Sequence, residues 1–196
     1  MKRIIFATKN RGKIREVTEI LKNSNIEIIS LLELSTVPEI VENGLTFEEN
    51  AIIKAEIIFK TFGIPAIADD SGLAVEQLGW GPGVFSARYA GENATDDENN
   101  SKLLYELNNY SEPHHAKFVC SAVYFDGNKF LTSDGEVNGR IIKEPRGNNG
   151  FGYDPLFLPN GFNVTSGELS LEEKNKISHR AIAFKKLKDL IVQSME

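Results

Sequence analysis

The chain holds one cysteine, Cys120, so no disulfide can form within it. A lone thiol inside the apolar run Phe118 to Val123 reads as a small core residue rather than a nucleophile. No apolar run approaches the roughly 20 residues that cross a bilayer. The opening stretch Met1 to Phe6 starts as a signal peptide would, but its apolar part is too short and meets Thr8-Lys9-Asn10 at once. A cytoplasmic protein with no membrane partner is expected. Basic charge is in deficit too: 22 Lys and Arg against 28 Asp and Glu leave a net charge of −6. That balance argues against broad nucleic-acid affinity, which needs a basic face. A phosphorylated ligand must therefore meet local positive charge, a metal, or both.

What is present is ordinary for a globular chain. With 196 residues, 41% of them hydrophobic, the sequence suits a single domain, or one domain with a lobe, and a substantial core. Arg3 to Thr8 reads as a buried first strand. Ile14, Val17, Ile20 and Leu21 give Lys13 to Leu21 the spacing of an amphipathic helix. Ile26 to Leu31 reads as a second strand. Thr46-Phe47-Glu48-Glu49 is a capping box opening a helix toward Phe62. Ile64 to Asp69 is a third strand, expected to stop at Asp69-Asp70-Ser71-Gly72. This order implies an α/β sheet with parallel strands. Downstream, Thr95-Asp96-Asp97-Glu98 starts another helix. Lys117 to Phe125 and Lys129 to Ser133 suit a hairpin around Asp126-Gly127-Asn128. Ser170 to Glu173 caps a short helix, and Ser178 precedes a last one with the stripe Ala181, Phe184, Leu187, Leu190 and Ile191.

Five segments carry chemistry. Thr8-Lys9-Asn10-Arg11-Gly12-Lys13 joins a strand to a helix, where unpaired N–H groups and the helix dipole make an anion site. Its glycine spacing is not that of a Walker A loop, and the same residues also suit a capped helix with solvated lysines. Asp69-Asp70-Ser71-Gly72 places two carboxylates at a strand end, which repel unless a cation compensates. Hard oxygen ligands of this kind suit Mg²⁺, which also bridges phosphates. Glu39 or Glu42, in the acidic loop before the capping box, can complete such a site with Asp70. Asn50 and Lys54 share one helix face, which reads as surface. Gly150-Phe151-Gly152-Tyr153-Asp154-Pro155 offers an aromatic between glycines that can stack on a flat base. Lys174 with Ser178-His179-Arg180 forms a cationic group whose donors can read keto oxygens. For Trp80 and Phe85, in and after a glycine-rich loop, both interface and core remain open.

Taken in order, these segments resemble the Ham1/RdgB family of inosine/xanthosine triphosphate pyrophosphatases. The carriers are Ala7-Thr8-Lys9-Asn10 with Lys13, Gly44 to Ala51 with Lys54-Ala55, Ala66 to Leu73, Pro82 to Tyr89, Gly150 to Pro155, and Ser178-His179-Arg180. The resemblance implies an elongated mixed β-sheet flanked by helices, in two lobes with the nucleotide between them, all within one domain. It implies hydrolysis of ITP, dITP or XTP to the monophosphate and pyrophosphate, with Mg²⁺ as cofactor and a homodimer as the assembly. By position, Thr8, Lys9, Asn10, Arg11, Gly12, Lys13 and Ser71 would take the triphosphate. Asp70 matches the proton acceptor and metal ligand, with Glu42 or Glu39 as its acidic partner. Phe151, Gly152, Tyr153, Asp154, Lys174, His179 and Arg180 match the base-binding set. Lys9 stands where many relatives have glycine.

Two rivals follow. A Maf-type pyrophosphatase shares the general architecture but acts on modified pyrimidine nucleotides, and the Phe151 and Ser178-His179-Arg180 motifs argue against it. A nucleotide-binding protein without turnover would need a defective acidic centre, yet Asp69, Asp70 and Lys13 are all present.

Overall fold

A computed structural model describes residues 2–22 and 24–194. The elements run β1 (Lys2–Phe6), α1 (Arg11–Leu21), β2 (Ile26–Ser30), α2 (Phe47–Phe62), β3 (Ala66–Val75), β4 (Gly81–Pro82), α3 (Asp96–Leu107), β5 (His114–Phe125), β6 (Phe130–Ile141), β7 (Phe157–Pro159), α4 (Leu171–Ile177) and α5 (His179–Gln193). The sheet order is β2-β1-β3-β5-β6-β7, with β4 paired to β3. β1 runs parallel to β2 and β3, whereas β4 and β7 pair antiparallel with β3 and β6. The protein is thus a mixed α/β sheet flanked by helices. Among the described residues, no helix is long and apolar enough to cross a membrane.

The chain forms two compact units. The first comprises Met1–Asp70, Cys120–Gly135 and Arg180–Glu196. Alternate residues of β1 feed two different clusters, as the two-residue period of a strand requires. Ile4 and Phe6 join Val17, Ile67, Cys120, Phe184 and Leu187. Ile5 and Ala7 join Ala51, Ala55, Ala66, Ala68 and Val123. The predicted stripe of α5 is buried at Ala181, Phe184, Leu187 and Ile191 and half-buried at Leu190. Cys120 is fully buried, and burial pushes its thiol up, well away from thiolate chemistry.

The second unit comprises Ser71–Val119 and Glu136–His179. Its core gathers Leu73, Val75, Leu103, Leu107, Phe118, Ile141, Tyr153 and Phe157. Trp80 and Phe85 belong to no core here, being 51% and 57% exposed.

Two sequence expectations are corrected. The third strand does not stop at Asp69-Asp70 but continues through Ser71 and Gly72 to Val75. Ala74 and Val75 find partners in Pro82 and Gly81, and Leu73 N donates to Ser86 Oγ at 2.9 Å. Gly72 permits that approach: a Cβ there would lie 2.4 Å from both Gly83 O and Ser86 Oγ. The hairpin strands also run longer than predicted, to His114 on one side and Ile141 on the other.

Candidate active site

The first unit holds the turn that leads into α1 and two carboxylates of opposite orientation. β1 ends at Phe6, and Asn10 caps α1 by accepting from Lys13 N at 3.0 Å. Asn10 N in turn donates to Thr8 Oγ1 at 3.2 Å. Lys9, Asn10 and Arg11 are exposed, while Thr8, Gly12 and Lys13 are half-buried. Asp69 and Asp70 follow the point where β1 and β3 pair, Phe6 lying opposite Ile67. Being adjacent in a continuous strand, they point to opposite faces of the sheet. Each carboxylate therefore has different cations within ion-pair distance.

Asp69 faces the Ile67 side. Its Oδ2 meets Lys13 Nζ at 3.1 Å and accepts from Arg180 Nε at 3.1 Å. Arg180, 1% exposed, also donates from Nη1 to Glu16 at 2.6 Å. Burial alone would raise the Asp69 carboxyl, but Lys13, Arg180 and Lys54 overcome it and hold it far below the usual carboxylate range. Burial likewise opposes the Arg180 charge, and Asp69 and Glu16 restore it with a surplus.

Asp70 faces the Ala66 and Ala68 side. Its Oδ2 accepts from Asn50 Nδ2 at 3.0 Å, and its Oδ1 lies 3.5 Å from Lys54 Nζ. The same ammonium bonds Glu42 Oε2 at 2.8 Å. Desolvation works against the Lys54 charge, yet Asp70 and Glu42 raise its pKa above the ordinary lysine value. The acidic partner on Lys54 is thus Glu42; Glu39 is exposed.

The second unit holds the aromatic loop. Phe151 N and Lys174 Nζ both donate to Asp154 Oδ2, at 2.8 and 2.5 Å. Lys174 Nζ lies 5.0 Å from the centroid of the Phe151 ring. Gly152 is held by α3: its N donates to Asp96 Oδ2 at 2.6 Å and its O accepts from Asn100 Nδ2 at 3.0 Å. Tyr153 is buried and donates to Ser86 O at 2.8 Å. His179 stacks on Phe118, with centroids 4.8 Å apart and planes 15° from parallel.

The predicted residues therefore form local groups with definite partners: Asn10, Thr8 and Lys13; Asp70 and Glu42; Phe151, Asp154 and Lys174. Sequence reasoning missed Glu16, Asp96 and Asn100, and it read Asn50 and Lys54 as surface, whereas both are buried. Glu16 had a signal, lying four residues before Ile20 on the apolar arc of α1, where a carboxylate needs a partner. Asn50 and Lys54 flank Ala51 and Ala55, small residues that turn out to mark the buried face of α2.

Residues 4–190 match the Ham1 family. The chain belongs to that family. It is 53% identical over 196 residues to a dITP/XTP pyrophosphatase of Bacillus licheniformis, covering 99% of this chain and 100% of that protein. A dITP/XTP pyrophosphatase of Bacillus subtilis is 49% identical over 193 residues, covering 97% and 98%. Among solved structures, a HAM1 protein from Coxiella burnetii superposes with a TM-score of 0.89 at 43% identity, covering 98% of this chain and 100% of that one. The Ham1 protein of Staphylococcus aureus gives a TM-score of 0.86 at 40% identity, covering 98% and 100%. The family's fold and this chain's fold are the same.

Proposed function

We propose that this protein hydrolyses nonstandard purine nucleoside triphosphates, ITP, dITP and XTP, to the monophosphate and pyrophosphate, and so keeps deaminated purines out of nucleic acid. The observation that carries the reading is the Glu42–Lys54–Asp70 cluster in the same compact unit as a capped helix start bearing Lys13. Two relatives of about half identity over nearly the whole chain, both named dITP/XTP pyrophosphatase, support it.

The residues fit a magnesium ion. Glu42 and Asp70 offer hard oxygens, and a cation, the Lys54 ammonium, already sits against both. Among the described residues no group of three or more His, Cys, Asp or Glu side chains could hold a metal by itself. A pair of carboxylates completed by phosphate oxygens is the usual Mg²⁺ arrangement. When bound, the ion supplies charge neutralisation at the phosphates.

The chain's own residues do the rest. The N–H groups at the start of α1 and the Lys13 ammonium bind the triphosphate and offset its charge. Asp69 holds that ammonium in place. Asp70 accepts the proton of the water that attacks the α-phosphorus, and pyrophosphate leaves with the bond electrons. Phe151 offers a face to the base, and Lys174 and His179 offer donors to a 6-keto oxygen, which adenine lacks. Arg180, which the resemblance assigns to the base, we place with Asp69 and Glu16. We propose a cytoplasmic homodimer as the working form.

Pyrophosphate release from ITP, XTP, ATP, GTP and methylated pyrimidine triphosphates, with and without Mg²⁺, tests the reading. Release with Mg²⁺ and a preference for ITP and XTP is expected. A preference for the pyrimidines would move the protein to the Maf-type activity, and binding without release would make it a sensor.

A further inference from the structure

Asn50 lies in the first turns of α2, is 1% exposed, and shares the buried face of that helix with Lys54, Ala51, Ala55 and Ile58. A buried amide on such a face must have partners for both its ends. Its Nδ2 donates to Asp70 Oδ2 at 3.0 Å, and its Oδ1 accepts from Gly44 N at 2.8 Å. A carboxylate only accepts and a backbone N–H only donates, so the two partners fix which way the amide faces. Gly44 stands two residues after Glu42, the other carboxylate on Lys54. A Cβ on Gly44 would lie 2.8 Å from Asn50 Oδ1, 2.9 Å from Asn50 N and 2.7 Å from Glu49 Cβ. Only a glycine lets the acidic loop lie this close to the helix.

We infer that Asn50 is a positioning residue that sets the orientation and separation of the Asp70 and Glu42 carboxylates, with one end of its amide on each arm. Lys54 restrains the same two groups by charge, but a flexible ammonium does not fix direction. The planar amide does, because both its hydrogen bonds are directional. The inference rests on the metal-dependent hydrolysis proposed above.

Two variants separate the arms. Asn50→Ala removes both bonds. Gly44→Ala pushes the Glu42 loop off α2 but leaves the bond to Asp70. Mn²⁺ serves as the probe, its binding followed by electron paramagnetic resonance on the full chain without nucleotide. Outer partners of metal ligands typically account for about 10- to 100-fold in affinity or activity. Asn50→Ala is expected to raise the Mn²⁺ half-saturation and to lower kcat for ITP within that range. Its KM stays within about twofold, and its ITP affinity in EDTA is unchanged. Gly44→Ala shifts Mn²⁺ binding in the same direction. Melting curves report whether each variant is folded, and Gly44→Ala carries the test if Asn50→Ala is not. Unchanged Mn²⁺ half-saturation in the folded variants overturns the inference, as does an equal loss of ITP affinity in EDTA. A wild-type protein that releases no pyrophosphate from ITP with Mg²⁺ overturns the underlying reading first, and this inference with it.

Discussion

At the scale of single residues, the two adjacent carboxylates meet different contact partners. Asp70 keeps Asn50, Lys54 and Glu42 as neighbours, while Asp69 keeps Lys13 and Arg180. Asp70→Asn preserves shape and removes the proposed proton acceptor, so kcat for ITP should fall at least about a hundredfold while the protein stays folded. A variant with more than half of wild-type turnover at saturating Mg²⁺ would refute that role. Arg180 distinguishes two jobs. If its donors read the base, Arg180→Ala changes the ratio of ITP to ATP activity. If they serve Asp69 and Glu16, its loss takes a buried cation from both carboxylates and lowers stability, and KM rises for every triphosphate alike. The buried ion pairs predict the second outcome, a lowered Tm with an intact ITP-to-ATP ratio.

At the scale of elements, loops are pinned by backbone contacts that leave no room for side chains. Gly147 has φ of +83°, and a Cβ there would lie 2.1 Å from Gly167 O. Arg146 N and Asn149 N donate to Pro155 O and Gly167 O, tying the loop that leads to Phe151. Gly147→Ala meets backbone on both counts and should cost more than about 1 kcal/mol, lowering Tm by at least about 2 °C and raising KM for ITP. An unchanged melting curve would show that the loop repacks. Such features explain what the sequence could and could not reveal. Capping boxes at Thr46, Thr95 and Ser170 announced three helices, and each is present with both hydrogen bonds. The stripe on α5 was equally legible. The course of β3 was not, because Asp-Asp-Ser-Gly is turn-like in composition and its strand partners lie beyond it in sequence. Nor was the buried face of α2 legible. An Asn-Lys pair at helical spacing reads as surface, and only tertiary context shows that this arc, with Ala51 and Ala55, faces inward.

At the scale of the whole molecule, the acidic centre is charge-compensated without a metal. Lys54 meets both Glu42 and Asp70, and Lys13 and Arg180 meet Asp69. Treatment with EDTA should therefore abolish pyrophosphate release yet leave Tm within about 2 °C of its starting value; collapse of the fold on chelation would show that the metal is structural. The arginine's bonds also span great lengths of chain: it reaches back 111 residues to Asp69 and 164 to Glu16. Such contacts close large loops and form late. During synthesis, Glu16, Lys13 and Asp69 leave the ribosome long before residue 180 is made. Until α5 arrives, the carboxylate that steadies Lys13 lacks its arginine. A nascent chain that stops before α5 thus lacks the guanidinium that pairs with Asp69 and Glu16, and the proposed phosphate site gains its full set of buried ion pairs only once α5 is made.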